Sequence, residues 1–170
     1  MPTSPSATAK ARVNYLSEAQ QAVRYVQSKM TVGAENKLGD EFRSLGGSFI
    51  CVLAERSVED ESPGGSIEAT ITRSAAIAEA AGCGNCGEQS AIAFVYLRDR
   101  GVRPLEYMHF KNHDHAFVAL NRPKGSDESK PGTWGIDAVV CDPWKGSAYK
   151  ASELHLVWSG CISESLLRID

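Results

Sequence analysis

The sequence has no run approaching the ~20 consecutive apolar residues of a transmembrane helix, and Met1 to Ala11 lacks the apolar segment of a secretory signal. It is therefore expected to work in a cytosol, either that of the cell that makes it or that of a target cell reached without a classical signal peptide. Basic charge is also scarce. Eighteen Lys and Arg against 21 Asp and Glu give a formal net charge of -3, so there is no electrostatic footprint for nucleic acid or for an anionic membrane surface. Cysteine is present, but not in the pattern of a stapled scaffold. Five of them, an odd number, in a 170-residue chain large enough to bury a core, predict reduced thiols. Internal repeats are absent, and a hydrophobic content of 42% suits one ordinary globular domain.

Residues 1–10 hold Ser, Thr, Pro and Ala with little to bury, which reads as a disordered leader to a single catalytic domain over residues 11–170. From Ala11 to Met30, Val13, Leu16, Val23, Val26 and Met30 recur at helical spacing. Glu41 to Val58 contains a continuous apolar run that fits either strand or buried helix, with a lean to helix. Glu59 to Ser66 is a loop, and the Ala-rich stretch Ile67 to Ala81 predicts a second helix. Then comes Gly82-Cys83-Gly84-Asn85-Cys86-Gly87-Glu88, a glycine turn opening directly on an apolar helix that ends near Arg98 to Gly101. Strand-like runs follow at Leu105 to Phe110, His115 to Leu120 and Trp134 to Cys141, with further ones at Leu154 to Trp158 and Leu166 to Ile169. The loop Asn121 to Thr133 joins the second and third into a hairpin. Both faces of those two strands are largely apolar, with Phe117, Ile136, Ala138 and Val140 on one set of alternate positions, so the sheet should be covered on both sides.

The glycine turn is where a reactive thiol would sit. At the start of a helix, the dipole and the unpaired first-turn N–H groups favour a thiolate at Cys86. In an antiparallel hairpin, His115 at the start of one strand lies near Asp142 at the end of its partner, and both point the same way. If the central helix packs on that face, thiol, imidazole and carboxylate meet. Cys86 is then the nucleophile, His115 its acid-base partner and Asp142 the group that orients the imidazole, and the first product is a thioester. The Cys86 backbone N–H is a natural oxyanion donor, and Asn85 a further candidate. This chemistry requires no cofactor and no metal.

The segments Gly84-Asn85-Cys86-Gly87-Glu88-Gln89-Ser90, Leu97-Arg98-Asp99-Arg100-Gly101-Val102, His115-Ala116-Phe117-Val118 and Cys141-Asp142-Pro143-Trp144, in this order, resemble the transglutaminase-like branch of the papain-like cysteine enzymes. The match covers roughly Ala81 to Trp144. It implies an α+β fold in which N-terminal helices and a central helix carrying the nucleophile pack on a C-terminal antiparallel β-sheet, with a Cys86, His115, Asp142 triad. Phe117 stands where the common family form has Trp, which keeps an aromatic ring. Asn85, Gln89 and Trp144 are further candidates for oxyanion or substrate contacts. The small size looks more like the bacterial effector or toxin deamidases, which act on protein glutamine or asparagine, than like large calcium-dependent transglutaminases. That resemblance implies a protein substrate and, for a toxin, a cognate inhibitor or immunity protein. A protease or transglutaminase shares the triad.

Other readings compete for the same residues. Cys83-x-x-Cys86 also fits a redox pair, or half of a zinc site completed by His113 and His115, in a zinc-stabilised or inactive interaction module. His113 or His109 could stand in for His115, and Asp137 for Asp142, although Asp137 has the opposite strand parity. His155 reads as structural. Trp134, Trp144 and Trp158 are either core or lining of a substrate groove.

Overall fold

A computed structural model describes residues 13–32 and 65–170. The leader expected over residues 1–10 and the apolar run within 41–58 lie outside the described residues. Among the described residues, four helices and a five-stranded antiparallel sheet form an α+β fold.

Helix α1 spans Tyr15–Lys29. It starts where the Asn14 side chain accepts the Ser17 N–H at 3.1 Å, and its buried stripe is Ala19, Ala22, Val23 and Val26. Helix α2, Ile67–Ala81, is capped in the same way by Ser66. It stops at Gly82, whose φ of 73° places it in the left-handed region, where a Cβ would also collide with Thr31 Oγ1. Helix α3, Cys86–Asp99, is buried along most of its length. It ends in a Schellman motif, with Gly101 N–H donating to the Arg98 carbonyl and Val102 N–H to that of Leu97.

The sheet comprises β1 (Leu105–Phe110), β2 (His113–Leu120), β3 (Val139–Asp142), β4 (Ser147–Lys150) and β5 (Ser163–Ile169), in the order β4-β3-β2-β1-β5. Every neighbouring pair is antiparallel. One face carries Leu105, Val118, Leu120, Val139 and Cys141 against the buried sides of α1, α2 and α3. The other carries Met108, Phe110, Phe117 and Val140, covered by Trp134, Ala151 and Leu154 from the connecting segments. The sheet is thus apolar on both faces, as the strand composition requires.

Three expectations are corrected. The run Trp134 to Cys141 is extended only from Val139, because a 3-10 turn at Pro131–Thr133 and Gly135, at φ 90°, break the chain before it. Ile136 is consequently 86% exposed and not on the sheet face. Leu154 to Trp158 is not a strand but a one-turn helix, α4 (Leu154–Val157), which buries Leu154 and leaves Leu156 in solvent. Five residues are too few for periodicity to separate the two forms. Third, the central helix does not pack on the face that carries His115, Phe117, Val140 and Asp142. It packs on the opposite one, through Ala116, Val118 and Leu120. Strand β4 has no apolar alternation and is half-buried throughout, so no pattern in the sequence announces it.

Candidate active site

Although α3 lies behind the sheet, Cys86 and His115 line one groove of about 560 Å³ at the end of the sheet where β2 begins. A bulge makes this possible. On β1, His109 and Phe110 are adjacent, but their partners on β2 are Ala116 and His113, leaving Asp114 and His115 as inserted residues. Such a bulge re-aims a side chain. Here the inserted and buried His115 lines the groove.

The first turn of α3 is held on three sides. The Glu88 carboxylate accepts the Asn85 N–H at 2.7 Å, while the Asn85 side chain turns to the Glu88 N–H, a capping box. Tyr107 Oη donates to the Gly87 carbonyl at 2.9 Å, and Ser90 Oγ to the Ala116 carbonyl at 2.9 Å. The last bond ties the helix that carries Cys86 to the residue after His115. Gln89 is buried and donates its amide to the Gly84 carbonyl at 2.7 Å, so it braces the turn from behind. Gly84 has no room for a side chain, since a Cβ would lie 2.6 Å from that of Glu88.

Asp142 is completely buried and receives three donors. His115 Nε2 lies 2.9 Å from Oδ2, Trp158 Nε1 donates to the same oxygen at 3.0 Å, and the Lys145 backbone N–H donates to Oδ1 at 3.1 Å. With Nε2 engaged there, Nδ1 is the ring nitrogen left for Cys86. Burial pushes the imidazole toward its neutral form, but hydrogen bonding and charge from Asp142 and Cys86 outweigh it and raise the His115 pKa to about 9. The ring stacks on Trp158 with centroids 4.1 Å apart, and Trp144 meets it edge-on at 5.6 Å. An imidazolium stacked on the Trp158 face gains from the quadrupole of that ring.

The remaining candidates are placed elsewhere. His113 is exposed on the groove rim, edge-on to Phe110 and Trp158. His109 Nε2 pairs with Glu164 at 3.0 Å, and His155 Nδ1 lies 2.8 Å from the Ser152 carbonyl in the turn before α4. Asp137 lies beside Val13, Asn14 and Lys150, at a cavity distinct from the groove. Cys83 is in a disulfide, whereas Cys86, Cys141 and Cys161 are free. The expectation of uniformly reduced thiols is corrected, because an odd count also accommodates one bridge with free cysteines left over. A Cys83–Cys86 redox pair is excluded, and Cys83 offers no thiolate to a zinc ion. Among the described residues, no three His, Cys, Asp or Glu side chains are placed to hold a metal. Burial pushes the Cys141 thiol far up, out of reactive range.

Compared with models of known protein families and with curated proteins, the sequence matches none. Among the described residues, no helix is long and apolar enough to cross a membrane. Sequence reasoning offered Trp158 as either core or groove lining and gave no role to Ser90, Tyr107 or Lys145. Their contacts join elements from 16 to 26 positions apart for Trp158, Tyr107 and Ser90, which no local pattern reports.

Proposed function

We propose that this protein is a cysteine-dependent amide hydrolase that deamidates a glutamine or asparagine side chain of a protein substrate. The observation that supports this reading is the buried Asp142–His115 pair, with its free ring nitrogen turned to a thiol at the first position of α3. At neutral pH an imidazole with a pKa near 9 is protonated, so His115 holds the proton that the leaving nitrogen requires.

The Cys86 sulfur attacks the carboxamide carbon, and a C–S bond forms as the carbonyl electrons move to oxygen. The N–H groups of Cys86 and Gly87, in the first helical turn, have no intrahelical acceptor and belong to residues lining the groove. They are the natural donors to the oxyanion. His115 then gives its proton to the leaving nitrogen, ammonia departs and a thioester remains. Neutral His115 next takes a proton from water, the hydroxide attacks the acyl carbon, and cleavage of the C–S bond restores thiolate and imidazolium. One amide and one water become one carboxylic acid and one ammonia. Neither a metal nor an organic cofactor enters these steps.

Intact-mass analysis of candidate protein substrates tests the reading. A gain of about one dalton without chain cleavage is the expected product of replacing an amide by an acid through a thioester. Cys86→Ala should lower the rate at least ~10⁴-fold. Fragments would instead mean proteolysis and a larger adduct transamidation; activity surviving Cys86→Ala would remove the thiol from the mechanism.

A further inference from the structure

Next to the thiol groove lies a second cavity, of about 330 Å³, that the steps above do not use. Its wall is largely apolar, formed by Ile67 and Ile71 of α2, Ala91 of α3, Tyr107 of β1 and Leu166 of β5. The two cavities share Gly87 and Glu88. They also adjoin along the sheet, since Tyr107 walls one and His109, two residues on in β1, walls the other.

Gly87 marks the junction. Its backbone is helical, and a Cβ there would meet nothing nearer than Tyr107 Oη at 3.7 Å. Neither a positive φ nor close packing accounts for glycine at this position, and in a helix glycine is unfavourable by roughly 0.5–1 kcal/mol relative to alanine. Glycine leaves this shared lining position without a side chain. On the outer rim, Ile67 and Leu166 are 53% and 41% exposed, so two large apolar side chains border the entrance.

We propose that this cavity is a substrate subsite that takes a large aliphatic or aromatic side chain next to the carboxamide held on Cys86, so that the enzyme selects protein segments carrying such a neighbour. The volume lies at the lower end of the ~300–1,000 Å³ range of binding pockets, which suits one side chain and not a whole cofactor. The inference rests on Cys86 being the reacting thiol, but its test does not depend on deamidase activity.

The probes are two chloroacetamides, one with an N-isobutyl tail and one with an N-(2-hydroxyethyl) tail. Both alkylate a thiolate with loss of chloride, and labelling of each cysteine is followed by peptide mass mapping. The isobutyl reagent should label Cys86 about tenfold faster than the hydroxyethyl one, the gain expected from burying a branched aliphatic group. Labelling of Cys161 should not distinguish them. In Ile67→Asp and Leu166→Asp, which alter exposed positions and are checked for folding by thermal melting, the preference should fall below about threefold. Equal rates on Cys86 with both tails, or a preference that survives both substitutions, would overturn the subsite. If neither reagent labels Cys86 faster than Cys161, it is the reactive-thiol reading that fails.

Discussion

The Asp142 carboxylate is the residue about which the site is built. Completely buried, it accepts from His115, Trp158 and the Lys145 N–H at 2.9–3.1 Å, so its charge is held by three donors rather than by solvent. Its effect on His115 yields a prediction with a definite sign. Activity that needs the imidazolium should be retained at neutral pH and lost as pH rises through about 9. In Asp142→Asn, which removes the main raising influence, this alkaline limit should move to lower pH in a kcat/KM profile. Stability follows the same sense. A raised histidine pKa stabilises the folded state fully below the unfolded value of about 6.5, and that stabilisation is lost as pH climbs through about 9. Trp158→Phe keeps an aromatic face on His115 but removes the donor to Asp142. A hydrogen bond to a charged group contributes ~1.5–3 kcal/mol, so kcat should fall roughly 10- to 100-fold. Trp158→Ala should fall further, and a Trp158→Phe variant that keeps the wild-type kcat would deny the indole N–H a positioning role.

At the scale of elements, the setting of Cys86 depends on how α3 begins. Gly84→Ala would drive a methyl into the Glu88 side chain and disturb the capping box. A loss of about 1–3 kcal/mol in stability is expected, together with loss of selective iodoacetamide labelling of Cys86. Ser90→Ala removes the bond from α3 to the Ala116 carbonyl. Urea unfolding should register about 1 kcal/mol, and kcat should drop while the other two ties of α3, through Tyr107 and Glu88, persist. The helices were legible in the sequence for reasons visible at this scale. Ser66 at the start of α2, Gly82 at its end and Gly101 past α3 are local punctuation, and local punctuation survives in any tertiary setting. Strands β3 and β4 were not so legible. One is cut short by a glycine in the left-handed region and the other has no apolar alternation to read.

Across the whole molecule, the sheet is pinned at the end away from the groove by a buried ion cluster. Glu106, 1% exposed on β1, takes a bidentate Arg122 at 2.6 and 2.7 Å and also pairs with Arg168 of β5. Arg122 in turn bonds the Ser126 carbonyl, so the long β2–β3 connection is tied back to the sheet. Arg122→Met should destabilise the protein by about 3–5 kcal/mol in urea unfolding, because it strips a buried carboxylate of its main partner. Glu106→Leu combined with Arg122→Met should cost less than Arg122→Met alone; a larger cost would argue against an unpaired charge as the cause.

The sequence by itself determined the helices α1, α2 and α3, the placement of Cys86 at a glycine turn, the antiparallel neighbours that carry His115 and Asp142, and a sheet with two apolar faces. The helices and the turn follow from short spacings, where periodicity, caps and turns act directly on the chain, and the strand pairing follows from alternation on two runs joined by one turn-rich connection. Only the tertiary structure decided how the thiol reaches the imidazole. The central helix packs on the face opposite His115, and the two meet because Asp114 and His115 form an insertion against β1 at the end of the sheet. It also decided that Trp158, from a short helix after the sheet's other edge, closes over the pair, and that Cys83 is bridged while Cys86 stays free. A bulge arises from the pairing of two strands and a stacked ring from the packing of distant ones, so neither is written in a local pattern of residues.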